Sequence, residues 1–167
     1  TFSHAIGTAV LSAMIGRSRN WEAPSTITRL MLAGLFHDIG ESKLPADLLI
    51  KNTLEMSGAE RSQYETHPEL GQMIVANIKG MPPDLGSIIY QHHEYWDGSG
   101  FPQKLSGSKI HPLARIVVVA ELFVKLQQEN DSAAPSLLLS ELMKLHKDKV
   151  DPAVLKILTS LFNYNPS

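Results

Sequence analysis

Apolar residues along this chain recur with a helical period almost everywhere, and no stretch shows the apolar–polar alternation of paired strands. Ile6, Val10, Leu11, Met14 and Ile15 form one stripe. Ile27, Leu30, Met31 and Leu35 form the next, which begins after Pro24-Ser25 and stops at Gly40. A short segment, LPADLLIK, follows, and Ser57-Gly-Ala-Glu60 fits a capping box that opens another helix. Pro68, Pro83, Pro112 and Pro152 each suit the first turn of a helix, where a missing N–H costs little. RIVVVAELFV has the composition of a buried strand, but its length and flanks favour a helix, and SLLLSELMKLHK adds one more. The longest irregular stretch surrounds Asp97–Ile110 and is rich in Gly and Ser. The reading is an all-α bundle, with residues 1–167 forming one domain.

The totals exclude several functions. A formal net charge of −2 provides no electrostatic attraction to duplex nucleic acid or to an anionic membrane. The absence of cysteine removes disulfides, zinc-thiolate sites and thiol nucleophiles, and it fits a reducing, cytoplasmic setting. No stretch approaches the ~20 apolar residues of a membrane span. The opening TFSHAIGTAVL is already helical in pattern, so this chain is expected to be the C-terminal part of a longer protein.

A second set of residues does not belong in an apolar core. His37 extends the stripe of Ile27, Leu30 and Ala33, and Asp38 follows it. A buried carboxylate there costs several kcal/mol unless it is paired or metal-bound. His92 and His93 continue the stripe of Leu85, Ile88 and Ile89 and would differ by ~100° around a helix. Glu121 lies within IVVVAELFV, where Lys125 could pair with it on a solvated face. His67 precedes Pro68 at a helix start, and His4 lies on the first helix. Each has a plain structural reading: a helix-terminal His, a core His, a loop residue or an exposed ion pair. Taken together they lie on five segments, near helix ends or inward faces. Helical bundles build metal sites in this way. An all-N/O set without sulfur suits iron, manganese or nickel.

The strings SHAIGTAV, LAGLFHDIGESKLPADLLIK, YETHPELGQMI, IIYQHHEYWDGSGFPQKL and ARIVVVAELF resemble, in order and spacing, the HD-GYP family of HD metal-dependent phosphohydrolases. The resemblance spans residues 1 to about 126. It implies a helical bundle with a metal centre in its interior, holding two or three divalent transition-metal ions, iron first and manganese or nickel otherwise. It also implies hydrolysis of cyclic di-GMP by attack of a metal-bridging water. Carried over residue by residue, His4, His37, Asp38, His67, His92 and His93 match metal ligands, with Asp38 bridging and His37 and Asp38 serving catalysis. Glu121 stands where the family has an aspartate ligand. Lys51, Asp97, Gly98, Gly100, Phe101 and Lys125 match positions that line or support the substrate pocket.

There are three departures from the family pattern. Its His-Asp-x-Gly-Lys lysine is Glu41, which would repel phosphate or supply another ligand. Gly-Tyr-Pro is Gly100-Phe101-Pro102. The basic, aromatic segment after the last ligand helix is replaced by KLQQENDSAAPS. A second function class follows: a signalling module that holds metal, and binds a nucleotide or a partner protein without turnover. A third is hydrolysis of another phosphate ester. Trp96 is expected to pack in the core or at the pocket rim, or to stack on guanine.

Overall fold

RIVVVAELFV forms part of a helix. The computed structural model describes residues 2–19, 21 and 23–163, and among them there is no strand. Helices α1 (Phe2–Ser18), α2 (Pro24–Phe36), α3 (Ala46–Leu49), α4 (Gly58–Tyr64), α5 (His67–Ala76), α6 (Leu85–Tyr90), α7 (Pro112–Glu129), α8 (Pro135–His146) and α9 (Pro152–Leu161) follow in order. Pro112 opens α7, and the His111 ring caps it by accepting the Leu113 N–H at 3.2 Å. From Ile116 to Val124 every residue of α7 is buried. A helix that is apolar all round must be enclosed by others. Accordingly α1, α2, α6, α8 and α9 all pack on α7.

On α1 the expected stripe divides. Leu11 and Ile15 point inward with His4, Thr8 and Ser12, while Ile6, Val10 and Met14 are exposed. Thr8, Ala9 and Ser12 are small where α2 lies against them, with Gly34 directly over Ala9. On α2, Leu30 and Ala33 are buried, whereas Met31 and Leu35 remain exposed.

Two expected boundaries shift. Pro83 precedes α6 and its N-cap Asp84 instead of opening the helix. Helix α2 stops at Phe36, and Gly40 falls inside a 3-10 turn, Ile39–Lys43, without capping α2. Gly40 instead allows that turn to press against α5, since a Cβ there would lie 1.9 Å from the His67 carbonyl oxygen. The capping box of α4 is present: Ser57 Oγ accepts the Glu60 N–H at 3.3 Å, and Glu60 Oε2 accepts the Ser57 N–H at 2.9 Å.

The loop after His93 is held from within. Glu94 is 1% exposed. Its two carboxylate oxygens accept the N–H groups of Gln103 at 2.6 Å and Leu105 at 2.8 Å. Phe101 N–H donates to the His93 carbonyl at 3.0 Å, and only a glycine fits at position 100, where a Cβ would meet that carbonyl oxygen at 2.2 Å. The loop is also tied to the connection between α8 and α9, because Trp96 N–H donates to the Lys149 carbonyl at 2.7 Å.

Gly40→Ala should force the 3-10 turn away from α5 and destabilise the fold by about 3 kcal/mol, read as a shifted urea midpoint. A loss below about 1 kcal/mol would show that the turn and α5 do not set this spacing. Glu94→Ala should strand two amides at about 1–3 kcal/mol each. Hydrogen exchange at Gln103 and Leu105 should then accelerate before the helices are affected.

Candidate metal centre

His37 is the C-cap of α2, and Asp38 is the N-cap of the 3-10 turn, so one chain reversal presents both. His67 is the first residue of α5. His92 and His93 do not lie on a helical face as their spacing suggested. They follow the end of α6 in a turn, with ring centroids 4.1 Å apart and planes tilted by 40°. His4 enters from α1 and Glu121 from α7, both buried.

Three of these rings are oriented in the same way. Nδ1 of His37 lies 2.8 Å from the Gly34 carbonyl oxygen. Nδ1 of His67 lies 2.8 Å from that of Tyr64, and Nδ1 of His92 lies 2.6 Å from that of Ile89. A carbonyl only accepts, so each Nδ1 carries the proton and donates. In a neutral ring, each Nε2 is left as a bare lone pair. Those Nε2 atoms converge on Asp38: His37 at 2.9 Å from Oδ2, His92 at 3.5 Å and His67 at 3.7 Å from Oδ1. The Nε2 atoms of His67 and His92 lie 3.3 Å apart. Two lone pairs at that distance repel unless a cation stands near both.

The ligand atoms of Asp38, His67, His92 and His93 lie within 4.8 Å of one another, and so do those of His4, His37 and Asp38. Asp38 belongs to both sets, as a carboxylate bridging two ions would. Glu121 stands beside them, its Oε2 3.8 Å from His93 Nδ1. Both His93 ring nitrogens and Glu121 Oε2 are buried without a hydrogen-bond partner among the described residues. Orphaned buried atoms of this kind are costly, and a coordinated cation would satisfy them. The donor set therefore fits divalent metal ions.

Titration of these groups points the same way. Burial and the neighbouring His92 push the His67 pKa down to about 4, and burial with His92 and His67 pushes His93 well below its usual value. Both stay neutral and able to coordinate at physiological pH. Burial opposes charge on His37, but the adjacent Asp38 carboxylate raises its pKa to about 9. Burial would raise Asp38, yet His37 and His92 hold it well below the usual carboxylate range. Burial raises Glu121.

A cleft of about 290 Å³ opens beside His93 and Glu121. Phe101 and Lys125 line it, with the Phe101 ring 4.6 Å from that of His93. Lys51 lies outside the cleft lining, exposed and paired with Glu60. Asp97 shapes the turn without lining the cleft, its Oδ1 accepting the Ser99 N–H at 2.8 Å and hydroxyl at 2.7 Å, and Gly98 supplies the positive φ that follows. Glu41 is half-buried, accepts the Tyr64 hydroxyl at 3.3 Å, and is raised in pKa by burial and by Asp38. Trp96 does not line the cleft; the Arg115 guanidinium lies over its ring at 5.5 Å.

The cleft also receives Arg61, Tyr64 and Lys149, which the sequence did not single out. Neither they nor Glu94 stand in a helical stripe. Only Glu94, directly after the paired histidines, had a position that marked it.

Known proteins resemble this arrangement. The family profile described as HD domain matches residues 3–154. The cyclic di-GMP phosphodiesterase PA4108 of Pseudomonas aeruginosa is 30% identical over 124 residues, covering 74% of this chain and 29% of that protein. The 3'3'-cGAMP-specific phosphodiesterase 1 of Vibrio cholerae is 33% identical over 129 residues, 72% of this chain and 27% of that protein. The chain thus spans less than a third of the length of these relatives. Among solved structures, Bd1817, an HDG"Y"P protein from Bdellovibrio bacteriovorus, superposes with a TM-score of 0.78 at 23% identity, covering 97% of this chain and 52% of that one. With a helical bundle, a buried His/Asp cluster and a profile match over most of its length, the chain belongs to the HD domain family and carries the HD-GYP motif in a divergent form, Gly100-Phe101-Pro102.

Proposed function

We propose that this chain is a metal-dependent phosphodiesterase domain that hydrolyses a cyclic dinucleotide, cyclic di-GMP first among them. The observation that carries the reading is the convergence of the His37, His67 and His92 Nε2 atoms on the shared Asp38 carboxylate beside an open cleft. His67, His92, His93 and Asp38 would hold one ion, and His4, His37 and Asp38 a second, with Glu121 completing the set from α7. This all-N/O donor set suits iron, manganese or nickel, and the family resemblance puts iron first. Divalent ions bound there supply Lewis acidity to a phosphodiester and acidify water.

The protein's own part is to hold and orient. The three Nδ1–H···O=C bonds fix ring tautomer and direction. Asp38 stays ionised and presents both oxygens, and Phe101 closes one side of the cleft against His93. The absence of cysteine supports a reducing, cytoplasmic setting. The relatives named as cyclic di-GMP and 3'3'-cGAMP phosphodiesterases support this substrate class.

Glu41 favours a second reading, a module that holds metal and a nucleotide or partner protein without turnover. Its half-buried carboxylate stands close to Asp38, where an approaching phosphate would meet negative charge. Turnover separates the two readings. Iron- or manganese-loaded protein should linearise cyclic di-GMP, and Asp38→Ala should lose at least 10³-fold in kcat, an order of magnitude set by the loss of charge stabilisation at the reacting centre. Intact dinucleotide with loaded wild-type protein would remove the enzymatic reading.

Metal loading should also release a proton. His37 is protonated at neutral pH, with its pKa at about 9, and a coordinating ring must be neutral. Ion affinity should therefore rise with pH up to about 9. Calorimetry in buffers of different ionisation enthalpy should detect close to one proton released per protein at pH 7. Binding with no proton release would exclude His37 as a ligand.

A further inference from the structure

We infer that Arg61 and Lys149 form a second phosphate-binding point in the cleft, so that the centre favours a diester carrying a further phosphate group over a simple diester. The inference rests on the phosphodiesterase reading and deepens it.

Both residues line the cleft that His93 and Glu121 border, and they reach it from unrelated parts of the chain. Arg61 comes from α4, and Lys149 from the connection between α8 and α9. Lys149 is half-buried, with its ammonium 5.1 Å above the Tyr95 ring. Its backbone is fixed at both ends: its N–H donates to the His146 carbonyl at 2.9 Å, and its own carbonyl accepts from Trp96 in the loop after His93. Arg61 gives one Nη2 hydrogen bond to the Thr53 carbonyl at 2.7 Å, which orients the guanidinium and leaves most of its five donors free.

Like Lys125 in the same cleft, both residues lack an ion pair with a described carboxylate, whereas three cations elsewhere are committed to one. Arg29 is paired with Asp84, Lys51 with Glu60 and Arg115 with Asp151. Neither Arg61 nor Lys149 forms an ion pair with a described carboxylate within 4 Å. Two carboxylates border the same cleft: Glu121, buried beside His93, and Glu65, half-buried. With Lys125, the cleft carries three cations against these two acids. Unpaired cations near a centre suited to a diester are placed for a dianionic ligand, with one phosphate over the histidines and the other between Arg61 and Lys149. Charge-assisted contacts to phosphate are among the stronger ones available to a surface cleft. They also relocate positive charge away from position 41, where this chain has an acid.

The test compares two substrates on manganese-loaded protein. Cyclic di-GMP has two phosphates, and bis(p-nitrophenyl) phosphate has one. Arg61→Ala and Lys149→Ala should each raise KM for cyclic di-GMP about 10-fold, with kcat within twofold, and should flatten the dependence of log KM on log salt. Turnover of bis(p-nitrophenyl) phosphate should not change, which a structural disturbance of the centre would not permit. Arg61→Lys and Lys149→Arg should restore most of the affinity, and Lys147→Ala, exposed and outside the cleft lining, should leave it unchanged. Equal losses on both substrates, or an unaltered KM for cyclic di-GMP, would overturn the inference alone. A wild-type protein that cleaves the simple diester but not the dinucleotide would also overturn it and leave phosphodiester chemistry standing. A wild-type protein that cleaves neither substrate would remove the phosphodiesterase reading and this inference together.

Discussion

Several buried imidazoles crowd around one half-buried carboxylate, and that crowding is the constraint the rest of the molecule accommodates. His67 and His92 bring Nε2 atoms to 3.3 Å, His37 and Asp38 meet at 2.9 Å, and His93 has no hydrogen-bond partner for either nitrogen among the described residues. Packing alone would not bring these atoms together, because unsatisfied buried polar atoms cost about 1–3 kcal/mol each. The apolar surroundings supply the opposing stabilisation. α7 is buried from Ile116 to Val124 and apolar there except for Glu121, and α1, α2, α6, α8 and α9 close over it.

Precision at the cluster comes from backbone. Three of the rings are held by the carbonyl three residues earlier, so ring direction follows from the local chain path. Gly40 sets the distance between the 3-10 turn and α5, which places Asp38 against His67. Glu94 fastens the loop that carries Phe101. A rigid frame matters for chemistry because a displacement of about 1 Å at a reacting group can cost 10²-fold in rate.

Much of this was legible in the sequence. The helical period marked an all-α chain, and histidines at stripe ends marked the cluster, since a polar residue at an inward position needs a partner. The ambiguous stretch around Glu121 resolved as helix because Pro112 and His111 start it and its length exceeds that of an ordinary strand. The outward face of α1 was misread because apolar content alone does not show which side another helix will approach; the small residues Thr8, Ala9 and Ser12 carried that information. Lys51 was assigned to the pocket by resemblance, but the capping residue Glu60 lies within its reach and holds it outside. Arg61 and Lys149 were invisible because their meeting depends on how α4 and the α8–α9 connection come together, which no local pattern encodes.

The cluster draws on His4 near one end of the described chain and Glu121 far along it, with the remaining members spread between them. Local helices can form within microseconds, but these contacts close very long loops and raise the contact order of the region above that of a simple bundle. The imidazoles therefore meet only through contacts between distant segments, and during synthesis Glu121 cannot join them until α7 has emerged from the ribosome.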